Sequence, residues 1–115
     1  MELSKGTVIL VPFPFTDLSV AKVRPALILN DINQLDVIVV FISSVLPDKP
    51  EKSDFIISLS SSYFIETGLK KDSVIKCDKI MTLSKSIILG ELGKLKDEIF
   101  KKEIEPRLKI TLGLN

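Results

Sequence analysis

The chain has 115 residues, of which 45% are hydrophobic, and carries 16 basic and 15 acidic side chains for a net charge of +1. This length fits a single domain, residues 1–115, and a protein that bound nucleic acid by general electrostatic attraction would be far more basic. Charge therefore neither indicates nor excludes an RNA partner, and any such site must be local. The absence of histidine excludes Ser-His-Asp and Cys-His catalytic systems and removes the commonest metal ligand.

The apolar residues and the single cysteine of the chain predict where the protein is located and whether it associates with itself. The longest apolar run, residues 37–42, is far shorter than a membrane-spanning helix, which predicts a soluble protein. The single cysteine, Cys77, can form no internal disulfide, so we expect a cytoplasmic location. So small a domain cannot bury all of its apolar side chains, and the surplus favours a homodimer.

The residue pattern predicts a β-rich chain. Its first half predicts strands over residues 7–11, 25–30, 36–43 and 54–59, and the third of these is apolar on both faces and should be central. Residues 60–68 are consistent with one helical turn ended by Gly68. Further short strands are predicted over residues 73–77, 79–83 and 87–92.

The period changes after Asp97. One apolar helical stripe comprises Phe100, Ile104, Leu108 and Leu112, and Pro106 should kink or split this helix. Many short strands followed by one terminal helix suggest a small barrel rather than a parallel sheet.

Arg24 is the most informative candidate for chemistry. It lies where a polar loop becomes a strand, and Pro25 keeps it out of the α-helical conformation. A guanidinium fixed there could clamp phosphate oxygens, although an Arg-Pro pair at a strand start is more often structural.

Several other residues are also candidates for a functional role, and each of them has a structural interpretation. Phe13 and Phe15 could stack on bases, although core or dimer packing fits their proline-flanked setting better. Cys77 is interpreted as a small buried hydrophobic residue. Four lysines could line an RNA groove or simply face solvent: Lys70, Lys71, Lys76 and Lys79. Turn and loop roles are expected for four aspartates, rather than a metal site: Asp17, Asp31, Asp36 and Asp78.

Several segments together resemble the MazF/PemK toxins. The specific block is KGTVILV (residues 5–11), FPFTD (13–17) and KVRPALIL (22–29). Three later segments agree in order and spacing: ISS (42–44), GLKKDSVI (68–75) and KIMTL (79–83). The resemblance extends over nearly the whole chain.

The resemblance implies an SH3-like barrel of the MazF/CcdB type with a C-terminal helix. It implies a homodimeric, sequence-selective endoribonuclease that cleaves single-stranded RNA without a metal or other cofactor, paired with a cognate antitoxin. The products would be a 2′,3′-cyclic phosphate and a 5′-hydroxyl end. The family's catalytic arginine and threonine fall on Arg24 and Ser43. RNA-binding roles fall on Thr16, Asp17, Lys22, Pro25, Ser44 and Lys79.

This chain departs from the family pattern at three places. Ser19 lies near the position of an upstream glutamate, Lys22 precedes the Arg-Pro pair, and Met81 replaces an arginine. Two alternatives remain open. One is a CcdB-like toxin that poisons gyrase on the same barrel, and the other is an inactive member that binds RNA or antitoxin.

Overall fold

The computed structural model describes residues 3–13 and 22–114. Six strands lie in these ranges: β1 (Thr7–Phe13), β2 (Lys22–Asp31), β3 (Asp36–Ser43), β4 (Asp54–Ile57), β5 (Ser73–Ser84) and β6 (Gly90–Lys94). Short 3₁₀ turns occupy Ile65–Thr67 and Lys85–Ile87. A C-terminal helix consists of α1 (Asp97–Ile99), a π-helical turn (Phe100–Ile104) and α2 (Glu105–Leu112).

The strands form one curled antiparallel sheet in the order β4-β5-β3-β2-β1-β6. β3 lies between β2 and β5, which confirms the prediction that this doubly apolar strand is central. Strands that are neighbours in sequence mostly pair in space, so the connections between them are short. The described part of the sheet curls into a half-barrel.

Alternate residues of each strand enter two separate clusters on the two faces of the sheet. Val8 and Leu27 belong to the cluster that packs against the C-terminal helix, whereas Ile9 and Ala26 belong to the other. This alternation is the period of two that β-strands impose. Both faces are therefore apolar near the middle of the sheet, as in a sheet that curls around a core.

The C-terminal helix covers one face. Phe100 and Ile104 are buried and Leu108 packs against the same cluster, but Leu112 is 58% exposed, so its assignment to the apolar stripe was wrong. The π-helical turn ends two residues before Pro106 and separates two α-helical segments, which confirms the predicted split. Proline cannot donate the hydrogen bond of a regular turn, and the wider π-helical turn accommodates it. Within the described ranges no helix is long and apolar enough to cross a membrane.

The second half of the chain differs from the predicted strands in three places. Residues 73–77 and 79–83 form one strand, β5, because residues 77–79 bulge out between the pairs Val40↔Ile80 and Phe41↔Lys76. The strand predicted over residues 54–59 ends at Ile57, since the backbone N–H of Leu59 donates to the Asp72 carboxylate instead, at 2.7 Å. The strand predicted over residues 87–92 is instead a 3₁₀ turn followed by β6, and the Ser84 hydroxyl caps that turn.

The turn Ile65–Thr67 lies tightly against β6, and two glycines permit this approach. Gly68 ends the turn with φ of 75°, the left-handed region that favours glycine, so the predicted end of the turn is confirmed. On β6, a Cβ added to Gly93 would lie 2.2 Å from the carbonyl oxygen of Glu66. The turn and the strand are therefore in backbone contact.

We expect Gly93→Ala to lower the free energy of unfolding by about 1–3 kcal/mol, because the added methyl group overlaps backbone atoms that cannot rotate away. Urea unfolding followed by circular dichroism measures this loss. Gly90→Ala in the same strand is the matched control, since a Cβ there meets no atom within 4 Å. Equal stability of the two variants would contradict the tight contact.

Candidate functional site

Arg24 and Ser43 are brought together by the pairing of β2 with β3. The ladder pairs Leu27 with Val40 and Ala26 with Phe41. The ladder ends there, two residues from Arg24 on β2 and two residues from Ser43 on β3, so the period of two places both side chains on the same face of the sheet at the same end of the ladder. Both side chains are half-buried and both line one cavity.

This cavity, here called the aromatic cavity, has a volume of about 480 Å³. The rings of Phe13 and Phe41 contact each other in its wall, with centroids 4.8 Å apart and an interplanar angle of 47°. Its lining residues are Phe13, Arg24, Phe41, Ile42, Ser43, Val45, Lys76, Asp78, Lys79, Ile80 and Met81. The cavity thus combines an apolar wall with a cluster of polar groups, the combination that binds a nucleobase together with its phosphate.

The Ser43 hydroxyl is oriented by its own loop. Its oxygen accepts a hydrogen bond from the backbone N–H of Val45, at 3.1 Å. Among the described residues it makes no further hydrogen bond, so its proton is available to a ligand in the cavity. A hydroxyl held this way can donate to a phosphate oxygen.

Arg24 forms no ion pair with any carboxylate in residues 3–13 and 22–114. It occupies a position of β2 opposite Val11 on β1, so its backbone is fixed by a neighbouring strand. The five N–H donors of a guanidinium match the oxygens of a phosphate group. Arg24 is therefore suited to bind an anion.

The bulge in β5 brings two charged side chains to the aromatic cavity. Asp78 and Lys79 lie in the bulge, and their side-chain charges are 3.9 Å apart. Lys76 lies just before the bulge, and its Nζ atom is 3.7 Å from the buried carboxylate of Asp54. Both lysines are thus accompanied by an acidic group. Bulges re-aim side chains in this way near functional sites.

A second cavity, here called the lysine cavity, has a volume of about 340 Å³ and shares Arg24 and Ile42 with the aromatic cavity. Pro25 and Ser44, two of the predicted RNA-binding residues, line it. Its complete lining is Leu10, Val23, Arg24, Pro25, Ile42, Ser44, Gly68, Leu69, Lys70, Lys71, Ser73 and Leu92.

The remaining predicted site residues are distributed unequally. Lys79 lines the aromatic cavity, whereas Lys22 is exposed at the start of β2 and lines neither cavity. Thr16 and Asp17 lie outside the described residues. Sequence reasoning missed the cavity position of Asp78, although this residue separates the two predicted strands and so marked an interruption. In the described ranges, no group of three or more Asp, Glu and Cys side chains lies close enough together to hold a metal ion.

The fold and the sequence place the chain among known proteins. The Mycobacterium tuberculosis toxin MazF-mt6 is 18% identical, with a TM-score of 0.71 over 95% of this chain and 98% of that one. An endoribonuclease from Mycobacterial species, solved with its cognate antitoxin, is 21% identical, with a TM-score of 0.69 over 96% and 95% of the two chains. MazE-MazF from Deinococcus radiodurans gives 18% identity and a TM-score of 0.70 over 100% of both chains. A comparison with curated protein sequences gives no significant match.

These structures define the class, a curled antiparallel sheet with one C-terminal helix as in the MazF toxins, and confirm the predicted fold. The family model described as "PemK-like, MazF-like toxin of type II toxin-antitoxin system" matches residues 4–112. The chain therefore belongs to this family of toxins, whose members are endoribonucleases.

Cys77 is a possible nucleophile near the aromatic cavity, but its environment opposes that role. The side chain is fully buried, as predicted. Burial raises the pKa of the thiol from 9.0 to about 12; Arg107 counteracts this, whereas Asp54 and Asp78 add to it. The thiolate is the reactive form, so a thiol with so high a pKa is inert at neutral pH.

We expect Cys77 to react with iodoacetamide at pH 8 far more slowly in the folded protein than in urea, as mass spectrometry would measure. Because the pKa is higher in the folded state, the protonated thiol stabilises the fold below pH 9 and this contribution is lost as the pH rises toward 12. The free energy of unfolding should therefore fall more steeply above pH 9 in the wild type than in Cys77→Ala. Rapid alkylation of the native protein would contradict the burial of the thiol.

Proposed function

We propose that this toxin is a sequence-selective endoribonuclease that cleaves single-stranded RNA without a metal ion, with Arg24 and Ser43 as its catalytic residues. The observation that carries the proposal is the shared cavity: a guanidinium and an available hydroxyl face one space beside an apolar wall. The family match supplies the reaction class.

The chemistry requires no nucleophile from the protein, because RNA carries its own. The 2′-hydroxyl oxygen attacks the adjacent phosphorus as its proton passes to solvent water. The bond from phosphorus to the 5′ oxygen then breaks, and that oxygen takes a proton from water, so no net proton is released. The products are a 2′,3′-cyclic phosphate and a 5′-hydroxyl end. What the protein must supply is orientation of the phosphate and stabilisation of the charge that builds on its oxygens.

Arg24 meets the second requirement. Its guanidinium stays protonated at neutral pH, so it acts by charge-assisted hydrogen bonds to the phosphate oxygens rather than as a base. Ser43 meets the first, because its hydroxyl oxygen accepts a hydrogen bond from the backbone N–H of Val45, which leaves the hydroxyl proton available to a phosphate oxygen. The two residues lie on neighbouring strands of one sheet, which keeps their separation fixed.

The apolar wall accounts for the single-stranded substrate. Phe13, Phe41 and Met81 offer surfaces on which a base can pack once it has left a helical stack. Such bases are accessible in single-stranded RNA and inaccessible in a duplex. The proposed RNA-binding set also includes Pro25 and Ser44 in the lysine cavity, Lys79 in the bulge and Lys22 at the start of β2. Thr16 and Asp17, which lie outside the described residues, complete it.

The partners proposed are a second copy of this chain and a cognate antitoxin, in the cytoplasm, with residues 1–115 as one toxin domain. Two similar structures were solved as an endoribonuclease with its cognate antitoxin and as MazE-MazF. Large apolar side chains on the outside of the described protomer, such as Val45 at 74% and Ile65 at 87% exposure, agree with a protein that is covered by partners.

The purified protein should cut long single-stranded RNA in EDTA, and end-mapping should give 2′,3′-cyclic phosphate and 5′-hydroxyl ends at one short sequence. Arg24→Ala should lower the rate about 10²–10³-fold, as loss of a charge-stabilising donor does. Ser43→Ala should also lower it, whereas Ser43→Thr keeps the hydroxyl and should retain most activity. Circular dichroism checks that each variant is folded.

Three results would contradict this function. They are intact RNA across diverse sequences, cleavage that stops in EDTA, and full activity of Arg24→Ala. If RNA stays intact, cleaved DNA–gyrase complexes in expressing cells would indicate the gyrase-poisoning alternative. Toxicity in neither wild type nor Arg24→Ala would indicate an inactive member.

A further inference from the structure

The two cavities lie on opposite faces of the sheet and meet near the start of β2, at Arg24. Phe41 in the aromatic cavity packs on the face opposite the C-terminal helix. Leu69 and Leu92 in the lysine cavity pack on the helix-covered face. Arg24 lines both cavities, so a ligand that contacts its guanidinium in the first can continue into the second.

The lysines of the two cavities differ in how their charge is compensated. In the aromatic cavity, Lys76 and Lys79 each lie within 4 Å of an aspartate. In the lysine cavity, Lys70 and Lys71 are exposed and pair with no carboxylate of the described residues. No acidic residue lines that cavity within the described ranges, which leaves three cations, counting Arg24, without a counter-charge.

The backbone of Lys70 and Lys71 is held in place by contacts within the protein, without any ligand. On one side, Gly68 and Gly93 allow close backbone contact with β6. On the other, the Ser73 hydroxyl donates to the carbonyl oxygen of Lys71, at 2.8 Å. Between them, the Asp72 carboxylate accepts from the N–H of Leu59, so this acidic group is directed at the backbone. A cationic segment held in this way loses little entropy when it binds an anion.

We propose that the lysine cavity is a phosphate subsite, in which Lys70 and Lys71 hold an RNA phosphate that neighbours the one being cleaved. This inference rests on the proposed ribonuclease function. In this proposal Arg24 contacts the scissile phosphate, and the RNA backbone continues past the start of β2 into the lysine cavity, where Ser44 offers a further hydroxyl. Phosphate contacts of this kind fix the register of a nucleic acid without reading its sequence.

A contact to a neighbouring phosphate is the same before and during bond cleavage. Removing it should therefore raise KM with little change in kcat, whereas removing an interaction that forms in the transition state lowers kcat. The dependence of binding on salt should also weaken, because fewer counterions are released. On a single strand the slope should fall by about 0.7 for each phosphate that the variant no longer neutralises. Neither effect is expected from a lysine that only faces solvent.

The test compares Lys70→Ala/Lys71→Ala with the matched control Lys101→Ala/Lys102→Ala, which removes two exposed lysines from the C-terminal helix. Cleavage kinetics and fluorescence anisotropy are measured with an RNA spanning the mapped site, made non-cleavable for anisotropy by a 2′-O-methyl group. We expect KM and Kd to rise about tenfold in the first variant, with the reduced salt slope, and to stay near wild type in the control. Lys70→Arg/Lys71→Arg should restore binding.

A methylphosphonate at each neighbouring position in turn locates the contact. At one position, the neutral group should weaken binding to the wild type about tenfold and leave binding to Lys70→Ala/Lys71→Ala unchanged. Equal weakening in both proteins at every position would overturn the subsite.

The two proposals fail in different ways. If the wild type cuts RNA but the lysine variant matches its control in KM, Kd and salt slope, the subsite is overturned and the nuclease stands. If the wild type cuts no RNA, the nuclease is overturned, and anisotropy with an uncut RNA pool still decides whether Lys70 and Lys71 bind it. A wild type that neither cuts nor binds RNA overturns both.

Discussion

The register between β2 and β3 is the constraint on which the candidate site depends. Ala26 faces one apolar cluster and Leu27 the other, and both are fully buried. A slip of one residue would turn each of them to the wrong face and would carry Arg24 away from Ser43. Burial of the core therefore fixes the distance between a guanidinium and a hydroxyl that contribute nothing to the core themselves. The position of the site is a consequence of packing.

Local charge, rather than overall charge, is what suits the proposed site to an anion. With 16 basic and 15 acidic side chains, the chain as a whole is nearly neutral. The acidic groups are unevenly placed, however. Asp54 and Asp78 accompany the lysines of the aromatic cavity, while Lys70 and Lys71 have no acidic partner among the described residues. A chain with little net charge can in this way keep one cationic surface for a phosphate backbone.

The errors of the sequence predictions lie where non-local contacts decide the structure. The interruption at Asp78 suggested two strands, but pairing with β3 on both sides of the bulge keeps β5 continuous. Leu112 has the spacing of the apolar stripe yet is exposed, because the cluster against which Leu108 packs, one helical turn earlier, does not extend to it. β6 begins later than predicted, since the Ser84 cap forms a turn first. None of these contacts can be read from a local pattern.

The sequence by itself determined the periods of two and about four that define the strands and the helix, and the family to which the chain belongs. These properties depend on neighbouring residues and on motifs, which the linear order contains. The sequence placed Arg24 at the start of a strand, whereas β2 already begins at Lys22 and Arg24 pairs with Val11. Only the tertiary structure decided that Arg24 shares one cavity with Ser43 and a second cavity with Lys70 and Lys71, and which lysines are paired. Contacts between strands depend on register, and register is set by the burial of both faces of the sheet at once.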